Sequence, residues 1–189
     1  MDLPWGDERS VQFVTSLGLI TTNGPYGHNI STDEWTHHIS YSPGLIAVYI
    51  NHGDATNANI SKTKEFGVNL AAFDQNVLSS IAGGSHGQEV DKIAALKELG
   101  FKFFKAKKID VLMVEDAALN IECKLLKKIE LGDHTMFVGE VVQLYPAGNN
   151  QPLIYHGGKY WKFGSAIQKP EEKELKRISD IVEKHRKKK

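Results

Sequence analysis

Two polar segments hold most of the side chains that could bind a ligand, and each adjoins an apolar stretch. Residues 29–44 read NISTDEWTHHISYSPG and combine hydroxyls, an amide and a tryptophan. Residues 51–60 read NHGDATNANI, a turn that leads into a short helix. A helix start presents free backbone N–H groups and a positive dipole end, so this turn, with Thr56, suits a phosphate. The same residues also suit an N-capped surface loop, and the motif alone leaves both interpretations open.

Several other chemistries are excluded by the motifs that the chain lacks. It contains no P-loop, GxGxxG, HExxH or GxSxG pattern. The eight histidines are scattered, which favours ordinary hydrogen-bonded histidines over a metal site, and we expect no metal. The single cysteine, Cys123, excludes an intramolecular disulfide and is expected to be a small buried hydrophobe.

Composition indicates one globular domain with an unevenly distributed charge. Of the 189 residues, 41% are hydrophobic and 24% charged, with 23 basic and 23 acidic side chains. This balance gives no argument for a nucleic-acid or membrane partner. No apolar run approaches the roughly 20 residues that cross a bilayer, and the start of the chain has no apolar signal-peptide core, so a cytoplasmic location is expected.

The elements that must position these side chains are mostly short strands. The β-rich runs cover residues 17–22, 45–50, 66–70, 119–125 and 134–145. Residues 153–155 and 159–161 form a further pair around Gly157 and Gly158. Gly132 and Asp133 lie between two long runs and predict an antiparallel hairpin. We therefore expect a mainly β fold, a barrel or sandwich, with added helices.

Helical spacing occurs in four places. The predicted helices cover residues 55–64, 74–82 with Asp74 as N-cap, 89–99 ending at Gly100, and the stretch after residue 170. The last of these spaces four apolar residues at helical intervals among charges: Leu175, Ile178, Ile181 and Val182. We expect this stripe to pack on the domain or on a partner subunit. The predicted organisation is one domain over residues 1–169 and a charged helix with a basic tail over residues 170–189.

The order of five motifs resembles the flavin reductase-like, FMN-binding split-barrel family, which includes the flavoredoxins. Residues 29–44 are similar to the family stretch Asn-x-Met-Thr-x-Ser-Trp…Ser…Pro-Pro. Residues 51–60 and the following EFGVNL resemble its turn with Thr, Asn-Ile and Glu-Phe-x-Val-Asn. The remaining three motifs are HGQEVDK at 86–92, ECKLLKKIELGDHTMFVGEV at 122–141 and LIYHGGKYWKFG at 153–164. The resemblance covers residues 11–164.

The resemblance implies an antiparallel six-stranded split barrel that forms a homodimer with FMN at the subunit interface. It places six residues at the flavin ring and ribityl chain: Asn29, Ser31, Thr32, Asp33, Glu34 and Trp35. It places Asn51, Thr56 and Asn59 near the phosphate, and it retains Lys92 from the third motif as a binding residue. His134 falls in a motif associated with the reduced nicotinamide and is the candidate catalytic residue, although shaping the hairpin with Asp133 is an equal alternative.

The chain departs from the family pattern at several positions. Ser31 stands where Met is usual, Glu34 where Ser is usual, Gly44 replaces the second Pro and Gln88 replaces a Lys. Asp54 puts a carboxylate beside the expected phosphate, which is a like-charge conflict.

The resemblance predicts an oxidoreductase that passes electrons from NADH or NADPH through FMN to a second acceptor. Two alternatives stay open at this point. One is a flavoredoxin-type carrier whose tightly bound FMN is reduced by a partner protein. The other is a flavin-binding module without reductase activity of its own.

Overall fold

The computed structural model describes residues 2–4 and 6–187. Its strands are β1 (Thr15–Ser16), β2 (Gly18–Thr22), β3 (Asn29–Asp33), β4 (His37–Tyr41), β5 (Gly44–Asn51), β6 (Glu65–Leu70), β7 (Phe103–Lys105), β8 (Leu112–Val114), β9 (Leu119–Leu131), β10 (His134–Leu144), β11 (Ile154–His156) and β12 (Lys159–Trp161). Its helices are α1 (Ala55–Thr63), α2 (Asn76–Gly84), α3 (Lys92–Glu98) and α4 (Glu172–Lys184), preceded by a 3-10 turn at Ser10–Gln12.

A seven-stranded antiparallel sheet in the order β3-β2-β6-β9-β10-β5-β4 forms the body of the molecule. The expected mainly β, antiparallel architecture is confirmed, with one strand more than the six expected. Residues 29–44, which none of the predicted β-rich runs covered, contain β3 and β4, the two edge strands of this sheet. Two smaller sheets, β1-β11-β12 and β7-β8, flank the main one.

The long hairpin β9–β10 lies in the middle of this sheet. Its turn falls at Gly132 and Asp133 as predicted, with His134 paired both to Leu131 of β9 and to Asn51 of β5. This register places His134 at the end of β5, where α1 begins. The hairpin thereby delivers the candidate catalytic side chain to the turn that carries Asp54 and Thr56.

Cys123 lies in the sheet core, as expected of a small hydrophobe. Its side chain is fully buried, and burial, followed by the charge of Glu122, raises the pKa of its thiol to about 12. Gly139 on β10 provides the space for this packing, because a Cβ there would lie 2.7 Å from the Cβ of Cys123. A buried thiol with this pKa is not a nucleophile at neutral pH.

Two predicted helix starts are wrong. α2 begins at Asn76 with Gln75 in the N-cap position, so Asp74 is not its cap. α3 begins only at Lys92, because the Asp91 side chain accepts a hydrogen bond from the Ala94 N–H at 2.9 Å and caps the helix there. A side-chain capping bond therefore sets the start of α3, whereas Gln75 forms no such bond at the start of α2.

α4 forms as predicted, but its apolar stripe does not pack on the sheet. Every described residue from Trp161 to Lys187 is exposed. The expected packing on the domain is therefore wrong, while packing on a partner subunit stays a prediction. Four residues lie outside the described part of the chain. They are Met1 and Trp5 of the predicted domain, and Lys188 and Lys189 of the predicted basic tail. Among those described, no helix is both long and apolar enough to cross a membrane.

Candidate functional site

A cavity of about 140 Å³ opens where the ends of β3 and β5 meet the start of α1 and the end of the β9–β10 hairpin. Seven of the predicted site residues line it: Ser31, Thr32, Asp33, Glu34, Trp35, Asn51 and His134. Three further lining residues were not predicted as ligands: Tyr49, Ile50 and Asp54. The structure thus brings together side chains that are up to 103 positions apart in the sequence.

A second, larger cavity of about 800 Å³ adjoins the first and shares four of its lining residues, Glu34, Trp35, Tyr49 and His134. Its remaining walls come from Tyr155, the turn at Gly157 and Gly158, and an N-terminal segment that contributes Leu3, Val11 and Phe13. Nothing in the sequence indicated that the N-terminal segment reaches the site, because it carries neither a recognisable motif nor strand periodicity. Together the two cavities provide the space for a ligand with several rings.

Asp33 is the most buried carboxylate of the first cavity and the one most heavily bonded. It accepts hydrogen bonds from the Tyr49 N–H at 3.1 Å, the Trp35 N–H at 3.1 Å and the Thr36 hydroxyl at 3.2 Å. Because β3 is one edge strand and Tyr49 lies on β5, the strand next to the opposite edge, this carboxylate connects strands from opposite sides of the sheet order. Burial nevertheless raises the pKa of Asp33 to about 7 against the opposing effect of these bonds.

A chain of hydroxyls connects β3 to α1 at the other side of the cavity. The Asn29 amide donates to the Thr56 hydroxyl at 2.9 Å, and that hydroxyl donates to the Ser31 hydroxyl at 2.9 Å. Asp54 occupies the N-cap position of α1 but forms no side-chain capping bond. The N–H groups of the first helical turn are therefore not satisfied by this cap, which is the arrangement that suits an anion.

Asn59 does not line the cavity. Its fully buried amide donates to the Thr22 hydroxyl and to the Gly27 carbonyl, both at 3.0 Å, and accepts from the Tyr26 N–H at 3.0 Å. These contacts hold the β2–β3 loop against α1. The predicted phosphate ligand is thus engaged in positioning the loop that precedes Asn29.

Lys92 is buried behind the site. Its ammonium donates to the carbonyls of Ala82 at 2.9 Å and Ser85 at 3.1 Å, and burial lowers its pKa to about 8 although the nearby charge of Asp54 opposes this. Gln88 donates to the Gly53 carbonyl at the turn before α1. Lys92, which was predicted as a ligand, therefore lies next to this turn without lining the cavity. The same is true of Gln88, which stands where the family pattern has a lysine.

The segment before α3 packs closely on the hydroxyl chain. A Cβ at Gly87 would lie 2.2 Å from the Asn29 Oδ1 and 3.0 Å from the Ala55 Cβ, so only glycine fits there. The third sequence motif thus closes the outer side of the site.

Aromatic rings form the opposite wall. The centroid of the Trp35 ring lies 4.9 Å from that of His134 and 6.2 Å from that of Tyr49. The Nδ1 of His134 lies 2.6 Å from a carboxylate oxygen of Asp133, and this bond lowers the pKa of Asp133. A carboxylate on Nδ1 fixes the proton at that nitrogen and leaves Nε2 as the atom that can accept or, when protonated, donate.

The first cavity is acidic. Among the described residues, its lining contains Asp33, Glu34 and Asp54 and no lysine or arginine. Burial raises the pKa of Glu34, while the charge of His134 opposes this rise. An anion entering this site must therefore rely on hydroxyls and backbone N–H groups, together with the ammonium of Lys92 beyond the wall.

Comparison with known proteins assigns the chain to a family. Residues 10–164 match the profile of the "Flavin reductase like domain" family, so the chain belongs to it. The match covers every strand and helix that lines the two cavities, begins after the N-terminal residue Leu3 of the larger cavity and ends before α4.

Three relatives illustrate the similarity. An uncharacterised protein of Archaeoglobus fulgidus is 31% identical over 118 residues, which are 61% of this chain and 64% of that protein. An NADH-dependent flavin reductase of a Rhodococcus species is 27% identical over 154 residues, 79% of this chain and 80% of that one. An FMN reductase (NADH) of Variovorax paradoxus is 24% identical over 160 residues, 84% of this chain and 85% of that one.

Solved structures confirm the fold. The flavin reductase PheA2 superimposes with a TM-score of 0.72 at 26% identity, covering 87% of this chain and 100% of that one. An FMN-binding protein from Thermus thermophilus superimposes with a TM-score of 0.76 at 24% identity, covering 90% and 96%. The split-barrel fold class implied by the sequence resemblance is thereby confirmed.

Proposed function

We propose that this protein binds FMN in the described cavities and reduces it with NADH or NADPH, as a flavin reductase that hands the electrons to a second acceptor. The observation that carries the proposal is the convergence of the β3 hydroxyls, the uncapped start of α1 and His134 on one cavity of a flavin reductase-like domain. The names of the Rhodococcus and Variovorax relatives support NADH as the donor and FMN as the flavin.

The residues present fit FMN in three respects. The aromatic wall of Trp35 and Tyr49 suits a flat ring system. The hydroxyl of Ser31, which the buried Thr56 hydroxyl positions, suits the ribityl chain, and the start of α1 suits the phosphate. The carboxylate of Asp54 opposes the phosphate, which we expect to weaken binding without preventing it.

Each side chain then has a defined task. Asp33 holds the backbone of Trp35 and ties it to Tyr49 across the sheet ends, so the ring wall is rigid before a ligand arrives. The N-terminal segment, through Val11 and Phe13, supplies an apolar wall of the larger cavity. His134, oriented by Asp133, holds or moves a proton through Nε2 next to the Trp35 ring. Bound FMN supplies the hydride-accepting and electron-donating chemistry.

The proposal includes the organisation of the protein. Residues 1–169 constitute the FMN-binding domain and residues 170–189 an appended helix and tail, which is supported by the end of the family match at residue 164. A homodimer with FMN at the subunit interface is proposed, because Trp35 keeps 40% of its surface exposed at the cavity and the described part of one chain places no lysine or arginine in the cavity lining. An enzyme that uses the cellular NADH pool is proposed to act in the cytoplasm.

Two measurements test the function. Titration of FMN, followed by its fluorescence, measures binding, and the decrease in NADH or NADPH absorbance in the presence of FMN measures reduction. We expect FMN to bind and NADH to be oxidised. His134→Asn is expected to lower the rate of oxidation while FMN affinity is kept, and His38→Asn, an exposed histidine on β4 outside both cavities, is the matched control.

Two outcomes would overturn the proposal. Protein that binds FMN and is inert toward both nicotinamides is either the electron carrier of the first alternative or the flavin-binding module of the second. Protein that binds no FMN is neither a reductase nor a carrier.

A further inference from the structure

α4 presents an apolar stripe that nothing in the described chain covers. Leu175, Ile178, Ile181 and Val182 are 47%, 43%, 49% and 64% exposed. Their spacing of three and four residues places them on one face of the 13-residue helix. A stripe of this kind on an otherwise charged helix is typical of a contact surface rather than of a solvated end.

The two ends of α4 differ in net charge. Acidic residues predominate at its start, where Glu171, Glu172 and Glu174 outnumber Lys173, and basic residues predominate at and beyond its end, where Lys184, Arg186 and Lys187 outnumber Glu183. Two of these charges continue the spacing of the stripe just outside the helix. Glu171 is the N-cap residue four positions before Leu175, and Arg186 lies four positions after Val182, beyond the C-cap residue His185.

This pattern is complementary to itself when two copies of the helix run in opposite directions. About a centre between Ile178 and Ser179, Leu175 of one copy faces Val182 of a second copy, and the two Ile178 side chains meet. Glu171 then faces Arg186 at both ends. A parallel pair would instead bring Glu171 to Glu171 and Arg186 to Arg186, which is unfavourable.

The charges concerned are free to re-pair. Glu174 lies 3.5 Å from Arg177 and Arg186 lies 3.2 Å from Glu183, but both pairs are exposed and of the weak surface kind. The chain between the domain and the helix also has the necessary reach. Residues 162–171 are exposed, belong to no helix or strand, and span up to about 33 Å when extended.

We propose that α4 is a self-association element that forms an antiparallel two-helix contact with α4 of a second copy of this chain. The apolar stripe supplies the contact, and the acidic start and basic end set its direction. The proposal is independent of the FMN site, so the failure of either leaves the other standing. A membrane surface is the less suitable occupant, because three glutamates at the start of the helix would face anionic lipid.

The helix contact is tested directly in the full-length protein by introducing single cysteines on α4 and measuring the dimers that a short bis-maleimide cross-linker forms. The wild-type chain is the control, because its Cys123 is fully buried. Ile178→Cys is expected to form cross-linked dimers with itself. Leu175→Cys and Val182→Cys are each expected to cross-link weakly alone and strongly when the two are mixed.

Other patterns overturn the proposal. Efficient self-cross-linking of all three variants indicates a parallel pair. No cross-linking of any variant above the wild type excludes the helix contact, and co-sedimentation of such protein with anionic phosphatidylserine vesicles then identifies a lipid surface as the occupant. Far-UV circular dichroism verifies that each variant keeps its helix content.

Charge reversal tests the direction independently. Glu171→Lys with Glu174→Lys, in the Ile178→Cys background, is expected to lower cross-linking roughly fivefold, the scale of a few exposed charge pairs. Adding Arg186→Glu and Lys187→Glu is expected to restore it. Equal cross-linking in all three proteins would refute the electrostatic part of the proposal.

Discussion

Replacing Asp33 with asparagine is predicted to make the protein relatively more stable as the pH rises from about 4 to about 7. In the native state, burial raises the pKa of this carboxyl from its ordinary value of 3.8 to about 7. In the unfolded chain the carboxyl regains its ordinary pKa. Between these two values the native protein therefore holds a proton that the unfolded chain has released.

The sign and size of the effect follow from proton linkage. Where the native state binds more protons, the free energy of unfolding falls as the pH rises. The stabilising contribution of the Asp33 proton to the free energy of unfolding is fully present below the unfolded pKa of 3.8. It is lost as the pH rises through the folded pKa of about 7. The full difference corresponds to about 4 kcal/mol. Asparagine has a similar shape, keeps one acceptor oxygen and does not titrate, so it removes this term.

Urea unfolding followed by tryptophan fluorescence between pH 4 and pH 8 measures the effect. The free energy of unfolding of Asp33→Asn minus that of the wild type is expected to increase by up to about 4 kcal/mol across this range and to level off above pH 7. Asp180→Asn, which removes an exposed carboxylate on α4, is the control and is expected to show no such trend. A difference for Asp33→Asn that is constant with pH would refute the argument.

Three further predictions concern the hydroxyl chain, the replaced lysine and the loop anchor. Thr56→Val removes the hydroxyl between Asn29 and Ser31 and is expected to weaken FMN binding roughly tenfold. Thr56→Ser, which keeps the hydroxyl, is expected to bind FMN like the wild type. Equal FMN dissociation constants for Thr56→Val and the wild type would contradict this prediction. Gln88→Lys adds a cation beside the turn before α1 and is expected to tighten FMN binding roughly threefold while riboflavin, which lacks the phosphate, binds unchanged. Asn59→Ala breaks three buried hydrogen bonds and is expected to cost about 3 kcal/mol in urea unfolding; a loss below about 1 kcal/mol would refute its anchoring role.

Much of the fold was predictable because local signals and tertiary structure agree. The Gly132–Asp133 turn between two β-rich runs predicted the β9–β10 hairpin correctly. The alternation around Cys123 predicted its burial. The ordered motifs gathered seven candidate residues that line one cavity, since a motif records which residues a family needs even where their contacts are distant in sequence.

The remaining features depend on contacts that local patterns do not encode. The Tyr49 N–H donates to Asp33 only because the sheet brings β5 close to β3, which lies at the other side of the strand order. Asn59 was expected near the phosphate from its position in the second family motif, but the β2–β3 loop occupies its amide. The N-terminal residues Leu3 and Phe13 reach the larger cavity through tertiary packing alone.

The central claim is that this domain reduces its own bound flavin, and one measurement tests it most directly. Protein loaded with FMN is mixed with NADH in an anaerobic stopped-flow instrument, and the visible absorbance of the flavin is followed. We predict that NADH bleaches bound FMN, and that His134→Asn slows the bleaching without changing FMN affinity. FMN that stays bound and oxidised in the presence of both NADH and NADPH would contradict the account.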